Sequence, residues 1–173
     1  RQGMQEITTV LPKAWFISDV ISVNDQKTSL EKTLEPFDPV LKAVIVNYDG
    51  PQINPESTGN VTVENYEEHE IKLKTTSKTG GLLVLSEIYY APRWIATVDG
   101  EETPIYQTNH VLRSVYVSPG EHEVIFLFND SLFKTTRLIS RVSLTLLLLS
   151  IVFIHREKIR GLKEFLPTGK KGK

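Results

Sequence analysis

The 173-residue sequence contains no cysteine. Disulfides, thiolate metal sites and a cysteine nucleophile are thereby excluded, while an exported bacterial domain remains compatible. Also missing are a glycine-rich phosphate loop, a G-x-S-x-G turn and an H-E-x-x-H helix, so three motif-based chemistries have no signature. Repeats and low-complexity tracts are absent. The single methionine, Met4, is followed by no apolar run, so no signal peptide is seen. For a chain whose bulk reads as extracytoplasmic, this leads us to expect the C-terminal part of a larger membrane protein.

Long apolar runs are scarce as well, and the one present dominates the reading. Residues 142–154, VSLTLLLLSIVFI, carry no charge. Extended back to Leu138, the run reaches 17 residues with one charge, Arg141. As a helix at about 1.5 Å per residue it is roughly 26 Å long, just short of a hydrocarbon core of about 30 Å. Arg141 lies one turn inside its start, close enough to snorkel to headgroups. Leu144, Leu146 to Leu149, Ile151, Val152 and Phe153 cover every helix face, the pattern of a helix in lipid or inside a large core. We expect a membrane span; the rival is a soluble domain with a buried C-terminal helix.

Charge divides the chain at the same place. Residues 1–133 hold ten Lys/Arg against nineteen Asp/Glu, a net of −9; residues 134–173 hold ten against two, a net of +8. An acidic domain, an apolar stretch and a basic tail point to a membrane partner and to no nucleic acid. Arg156, Lys158, Arg160, Lys163, Lys170, Lys171 and Lys173 place the tail in the cytoplasm by the positive-inside rule. Lys134, Arg137 and Arg141 weaken that bias without reversing it. The expected division is therefore 1–133 extracytoplasmic, 134–155 membrane helix and 156–173 cytoplasmic tail, at a bacterial inner membrane.

Before the apolar run the pattern is mostly strand. Residues 14–23 are β-branched and aromatic; residues 61–63 and 70–75 alternate polar and apolar; residues 82–90 form a nearly continuous apolar run. Further strands are expected at 43–46, 94–98, 103–106, 111–117 and 123–128. Asp99-Gly100 is a hairpin turn signal, and Ser118-Pro119-Gly120 a tight turn. Residues 28–34 open with a capping-box pattern, Thr28 with Glu31, and predict a short helix ended by Pro36 and Pro39. The fold expected is mainly β, an antiparallel β-sandwich of jelly-roll type followed by a C-terminal transmembrane helix.

Residues 81–128 also carry ordered motifs: GLLVLSE with YYAPRW, VDGEETPIY, NHVLRSVYV, then PGEHEVIFLF. With Lys13-Ala14-Trp15-Phe16 and Phe37-Asp38-Pro39, they resemble the C-terminal extracytoplasmic segment of YfhO-like bacterial membrane proteins, over most of 12–155. The resemblance implies multi-spanning proteins of the GT-C glycosyltransferase type, which use polyprenyl-phosphate-linked sugars to modify cell-envelope polymers. It implies catalytic acids in an upstream membrane part, so no catalytic residue is carried over. Arg93, where relatives often have glycine, departs from the pattern.

Candidate binding residues follow from chemistry. Tyr89, Tyr90, Trp94 and Tyr106 offer rings for stacking on sugars, and Arg93, Asn109, His110 and Arg113 offer hydrogen bonds to hydroxyls or a lipid phosphate. The competing reading is that such aromatics fill the sandwich core. Asp99, Glu101 and Glu102 sit on a hairpin turn, where solvated carboxylates are expected rather than a glycosidase pair. Glu67, Glu68, His69 and Glu70 alternate faces on a strand and do not converge on a metal. No metal and no cofactor are expected. The partners expected are the bilayer, the upstream membrane domain, and an envelope glycan or polyprenyl-phosphate sugar. The alternative is a tethered sandwich that binds glycan or protein with no enzymatic role.

Overall fold

The computed structural model describes residues 10–90 and 92–165, with side chains as far as Arg156. The chain forms two compact units that meet in sequence at Asn129 and Asp130.

The first unit holds two sheets. Sheet A runs β1 (Ala14–Ile17), β6 (Gly81–Ile88), β10 (Leu112–Val117), β9 (Tyr106–Thr108), β3 (Lys42–Val46), β2 (Asp19–Val23). Sheet B runs β4 (Gly59–Tyr66), β5 (Glu70–Ser77), β11 (Gly120–Phe128), β7 (Trp94–Val98), β8 (Glu101–Thr103). All pairings are antiparallel except β2 with β3. That parallel pair is joined by helix α1 (Gln26–Leu34), as a parallel connection requires a crossover.

The edge strands of sheet A, β1 and β2, are separated by Ser18 alone. The sheet therefore curls so that its two edge strands come together at Ser18, without pairing with each other. Ser18 and Asp19 both donate their amides to the Leu41 carbonyl, at 2.9 and 3.0 Å, and fix the bend.

Strand alternation then makes two cores. Ala14, Phe16, Leu83, Leu85, Val115 and Val117 of sheet A meet Ile71, Leu73, Ala96, Val124 and Phe126 of sheet B. The neighbouring residues Trp15, Ile17, Ala43, Ile45, Leu82, Val84 and Tyr106 fill the concave side of the curled sheet. This explains why β1 and β6 are apolar at nearly every position: each is buried on both faces.

Local differences from expectation have local causes. The helix starts at Gln26, because Asp25 caps it and accepts the Thr28 amide at 2.9 Å; Thr28 sits inside the first turn. The strand expected at 103–106 is split between the two sheets, β8 and β9, with Pro104, which has no N–H, between them. Residues 14–23 form two strands instead of one because of the bend at Ser18.

The second unit is α2 (Ser131–Phe165), 35 residues long. Residues 166–173 of the basic tail lie outside the described residues. The stretch Ser131–Arg156, 26 residues, is long and apolar enough to cross a membrane. Every Leu, Ile, Val and Phe from Leu138 to Ile154 is more than half exposed. An unburied helix, apolar on all sides, is an exposed patch far larger than water tolerates.

Candidate functional site

At the end of the sandwich where β11 finishes, the layer between the sheets changes from apolar to polar. Arg113 follows the inward parity of Val115 and Val117, and Glu87 that of Leu83 and Leu85. The register of β10 on β6 jumps from Leu112↔Ile88 to Arg113↔Leu85, a bulge that takes up Ser86 and Glu87. Trp94 shares the inward face of β7 with Ala96. Around them opens a cleft of about 730 Å³ lined by Tyr66, Glu67, Glu68, His69, Ile71, Glu87 and Trp94.

Arg113 lies buried behind the cleft, against two of its lining residues, Trp94 and Glu87. Its side chain is 1% exposed, and its guanidinium lies 4.0 Å from the Trp94 ring and 5.3 Å from the Phe126 ring. Its nearest carboxylate oxygen, on Glu87, is 3.8 Å away from Nη2, an ion pair without a hydrogen bond. Nε and Nη1 are buried with no hydrogen-bond partner among the described residues. Burial pushes this guanidinium down to about 10, against the opposing pull of Glu87, so it stays charged at neutral pH. A buried cation resting on ring faces, with unused donors, is costly unless something completes its shell.

Glu87 links Arg113 to the rim. It accepts hydrogen bonds from Lys13 and Tyr66, and Lys13 also reaches the Tyr66 hydroxyl at 3.0 Å and lies 4.5 Å over its ring. Burial raises the Glu87 pKa, but these hydrogen bonds and the charges of Lys13 and Arg113 outweigh it and hold the carboxyl below its ordinary value. Phe128 packs against two lining residues, edge-on to Trp94 at 5.4 Å and stacked on His69 at 5.8 Å. The cleft thus offers carboxylate acceptors and aromatic surface, with one buried guanidinium behind them.

Of the residues expected to bind, the structure brings Trp94 and Arg113 into contact. Tyr89, Tyr90 and Arg93 lie in the loop that leads into Trp94. Tyr90 is exposed, Tyr89 and Arg93 are half-buried, and the Tyr90 carbonyl accepts the amides of Arg93 and Trp94 at 3.2 and 3.3 Å. Ala91 of this loop lies outside the described residues.

Tyr106, Asn109 and His110 are elsewhere. Tyr106 is buried on the concave side of sheet A, 4.9 Å from the Tyr48 ring, and donates to Asp49 at 3.1 Å. Asn109, in the left-handed region, exchanges two hydrogen bonds with Val44, of 2.7 and 2.9 Å, and so continues the sheet. His110 also has a positive φ, and its carbonyl accepts from Gln107. Sequence reasoning missed Lys13, Tyr66 and Glu87. Their one visible signal was a lone glutamate at the end of the apolar strand β6.

A second polar cluster lies at the opposite end, where β7 and β10 finish. His122 Nδ1 is 2.6 Å from Asp99 and its Nε2 is 3.0 Å from Ser118 Oγ, the order of a serine-nucleophile relay. The Pro119 carbonyl is also 3.2 Å from Nε2. A carbonyl only accepts, so it selects Nε2–H while Asp99 selects Nδ1–H. Both are satisfied by the imidazolium, which cannot take a proton from serine. The hydrogen bond to Asp99 raises the His122 pKa against the effect of burial, in keeping with that form. The cluster clasps two turns together.

The sequence model of the bacterial membrane protein YfhO family matches residues 51–140. That is just over half the chain and runs from the loop before β4 into the first turns of α2, taking in every residue that lines the cleft. No curated protein and no solved structure matches the chain. With its motifs, its two-sheet unit and its apolar helix described, the chain belongs to the YfhO family of bacterial membrane proteins.

Proposed function

We propose that this chain is the C-terminal accessory part of a multi-spanning GT-C-type glycosyltransferase, which moves sugar from a polyprenyl-phosphate donor to a cell-envelope polymer. In this reading residues 1–133 are extracytoplasmic, α2 is the last membrane helix and the basic tail is cytoplasmic. The sandwich holds the acceptor polymer near an active site that other parts of the protein supply.

One observation carries the binding role: a cleft presents Trp94, Tyr66 and three glutamates, and directly behind its Trp94 and Glu87 lies Arg113, a buried cation with two unused donors. Sugars suit such a surface. Their hydroxyls donate to carboxylates and accept from a guanidinium, and their C–H faces lie on aromatic rings. The transferase role is an implication of the family resemblance. The acidic–apolar–basic order of the chain supports the orientation.

The test is a titration of the full chain in nanodiscs with envelope glycans, followed by NMR. Saturable shifts at cleft residues, lost in a folded Trp94→Ala variant, support an acceptor platform. Absence of binding across envelope glycans would remove it. The account also expects no transferase turnover by residues 1–173 alone; turnover would contradict the accessory role.

A further inference from the structure

Helix α2 carries three cations ahead of its apolar stretch: Lys134, Arg137 and Arg141. Their spacing of three and four residues sets them within about 60° of one another on one helix face. Lys134 is engaged by Asp130 at 2.9 Å. Among the described residues no carboxylate pairs with Arg137 or Arg141. Leu138 shares their face, and the uncharged run begins at Val142, the residue after Arg141.

The direction of the side chains decides where these charges go. In an α-helix each Cα–Cβ bond tilts towards the N-terminus. Arginines at the N-terminal end of a span therefore lean out of the hydrocarbon, by roughly one helical turn of about 5 Å. A helix centred on residue 148 in a core about 30 Å thick puts the Arg137 backbone at the boundary and Arg141 just inside it. Both guanidinia then come to the depth of the lipid phosphates, Arg141 from below and Arg137 beside it. Guanidinium forks pair with phosphate oxygens in bidentate geometry, and at that depth water competes less for them.

We propose that Arg137 and Arg141 form a site for the phosphate of an anionic leaflet lipid, with Lys134 held aside by Asp130. The site costs insertion energy when empty and offsets it when occupied. It rests on α2 crossing the bilayer, and does not depend on what the sandwich binds.

The experiment uses the full chain in phosphatidylcholine vesicles with trace spin-labelled lipid, reading the motionally restricted fraction of labelled phosphatidylglycerol against labelled phosphatidylcholine. The wild type is expected to favour phosphatidylglycerol by up to roughly fivefold per arginine. R137Q/R141Q is expected to lose the share supplied by the two arginines and keep that of the basic tail, and Lys134→Gln to keep the whole. Equal restriction of the two lipids by the wild type, or an unchanged preference in R137Q/R141Q, overturns the proposal. So does loss of the wild-type preference in excess inorganic phosphate but not in sodium chloride of equal ionic strength, which would mark a soluble-anion site. Alkaline extraction separates the two readings. Release of the wild type denies that α2 crosses the membrane, whereas retained protein without preference denies the phosphate site alone. Retention of R137Q/R141Q shows that its loss of preference is not failed insertion.

Discussion

Arg113 is the residue on which the account of the cleft turns. A buried ion pair at 3.8 Å adds little to stability, and Glu87 keeps Lys13 and Tyr66 when Arg113 is gone. Arg113→Met, close in length and apolar, should therefore unfold within about 1 kcal/mol of the wild type, or above it, in urea. The same variant should lose glycan binding; a large drop in stability would make Arg113 a structural residue. Two pH effects follow at this scale. The Glu87 pKa is held low in the fold, so its contribution is present above the unfolded value of about 4.3 and disappears as pH falls through the folded value. Glu87→Gln should flatten the acid side of the stability curve. His122 is the opposite case. Its pKa is raised, so its contribution is full below about 6.5 and is lost as pH rises through the folded value. Asp99→Asn should abolish that alkaline loss, as read by thermal midpoints between pH 6 and 9. Trp94 and Arg113 were legible as binding candidates because aromatics and arginine carry that chemistry. Their contact was not, because it depends on the alternation of β7 and β10, strands on different sheets. Lys13 and Glu87 lie 74 residues apart in sequence, and only the antiparallel pairing of β1 with β6 joins them.

Turns and bends decide the elements. The β7–β8 hairpin has positive φ at both Asp99 (52°) and Gly100 (87°), the conformation that Asp-Gly favours, and was legible directly. A Cβ at Gly100 meets nothing within 4 Å, so Gly100→Ala carries the backbone cost alone, about 1–2 kcal/mol. At Gly81, φ is 151° and a Cβ would lie 1.9 Å from the Ser57 hydroxyl, which donates to the Gly80 carbonyl. Gly81→Ala should thus cost more than Gly100→Ala in paired denaturant titrations; the reverse order would contradict the packing described. Most strands were legible from alternation and turn residues, and the short helix from its polar start. The curl of sheet A was not. It comes from one serine between two strands that pair on opposite edges, and nothing in local composition distinguishes a bent strand from a straight one. The split of β8 from β9 had a local signal, Pro104, which extended-strand reasoning passed over.

On the scale of the whole molecule, the apolar run was the most legible feature, since length and all-round hydrophobicity are properties of sequence alone. The proposed orientation rests on charge and is open to a direct check, because the chain has no cysteine of its own. An impermeant thiol reagent applied to bacterial cells permeabilised only at any outer barrier should label Glu101→Cys and spare Thr168→Cys; the opposite pattern would invert the topology. The claim that unites the scales is that the cleft beside Arg113 recognises envelope glycan. The chain has two tryptophans, and only Trp94 lines the cleft. Trp15 is buried on the concave side of sheet A, its indole N–H bonded to the Pro39 carbonyl at 2.9 Å. The most direct measurement follows the two indole N–H resonances of the full chain in nanodiscs as envelope glycan is added. The account predicts a saturable shift of the Trp94 signal with Trp15 unmoved, abolished in Arg113→Met. A Trp94 signal that stays still while glycan binds, or no binding at all, would contradict it.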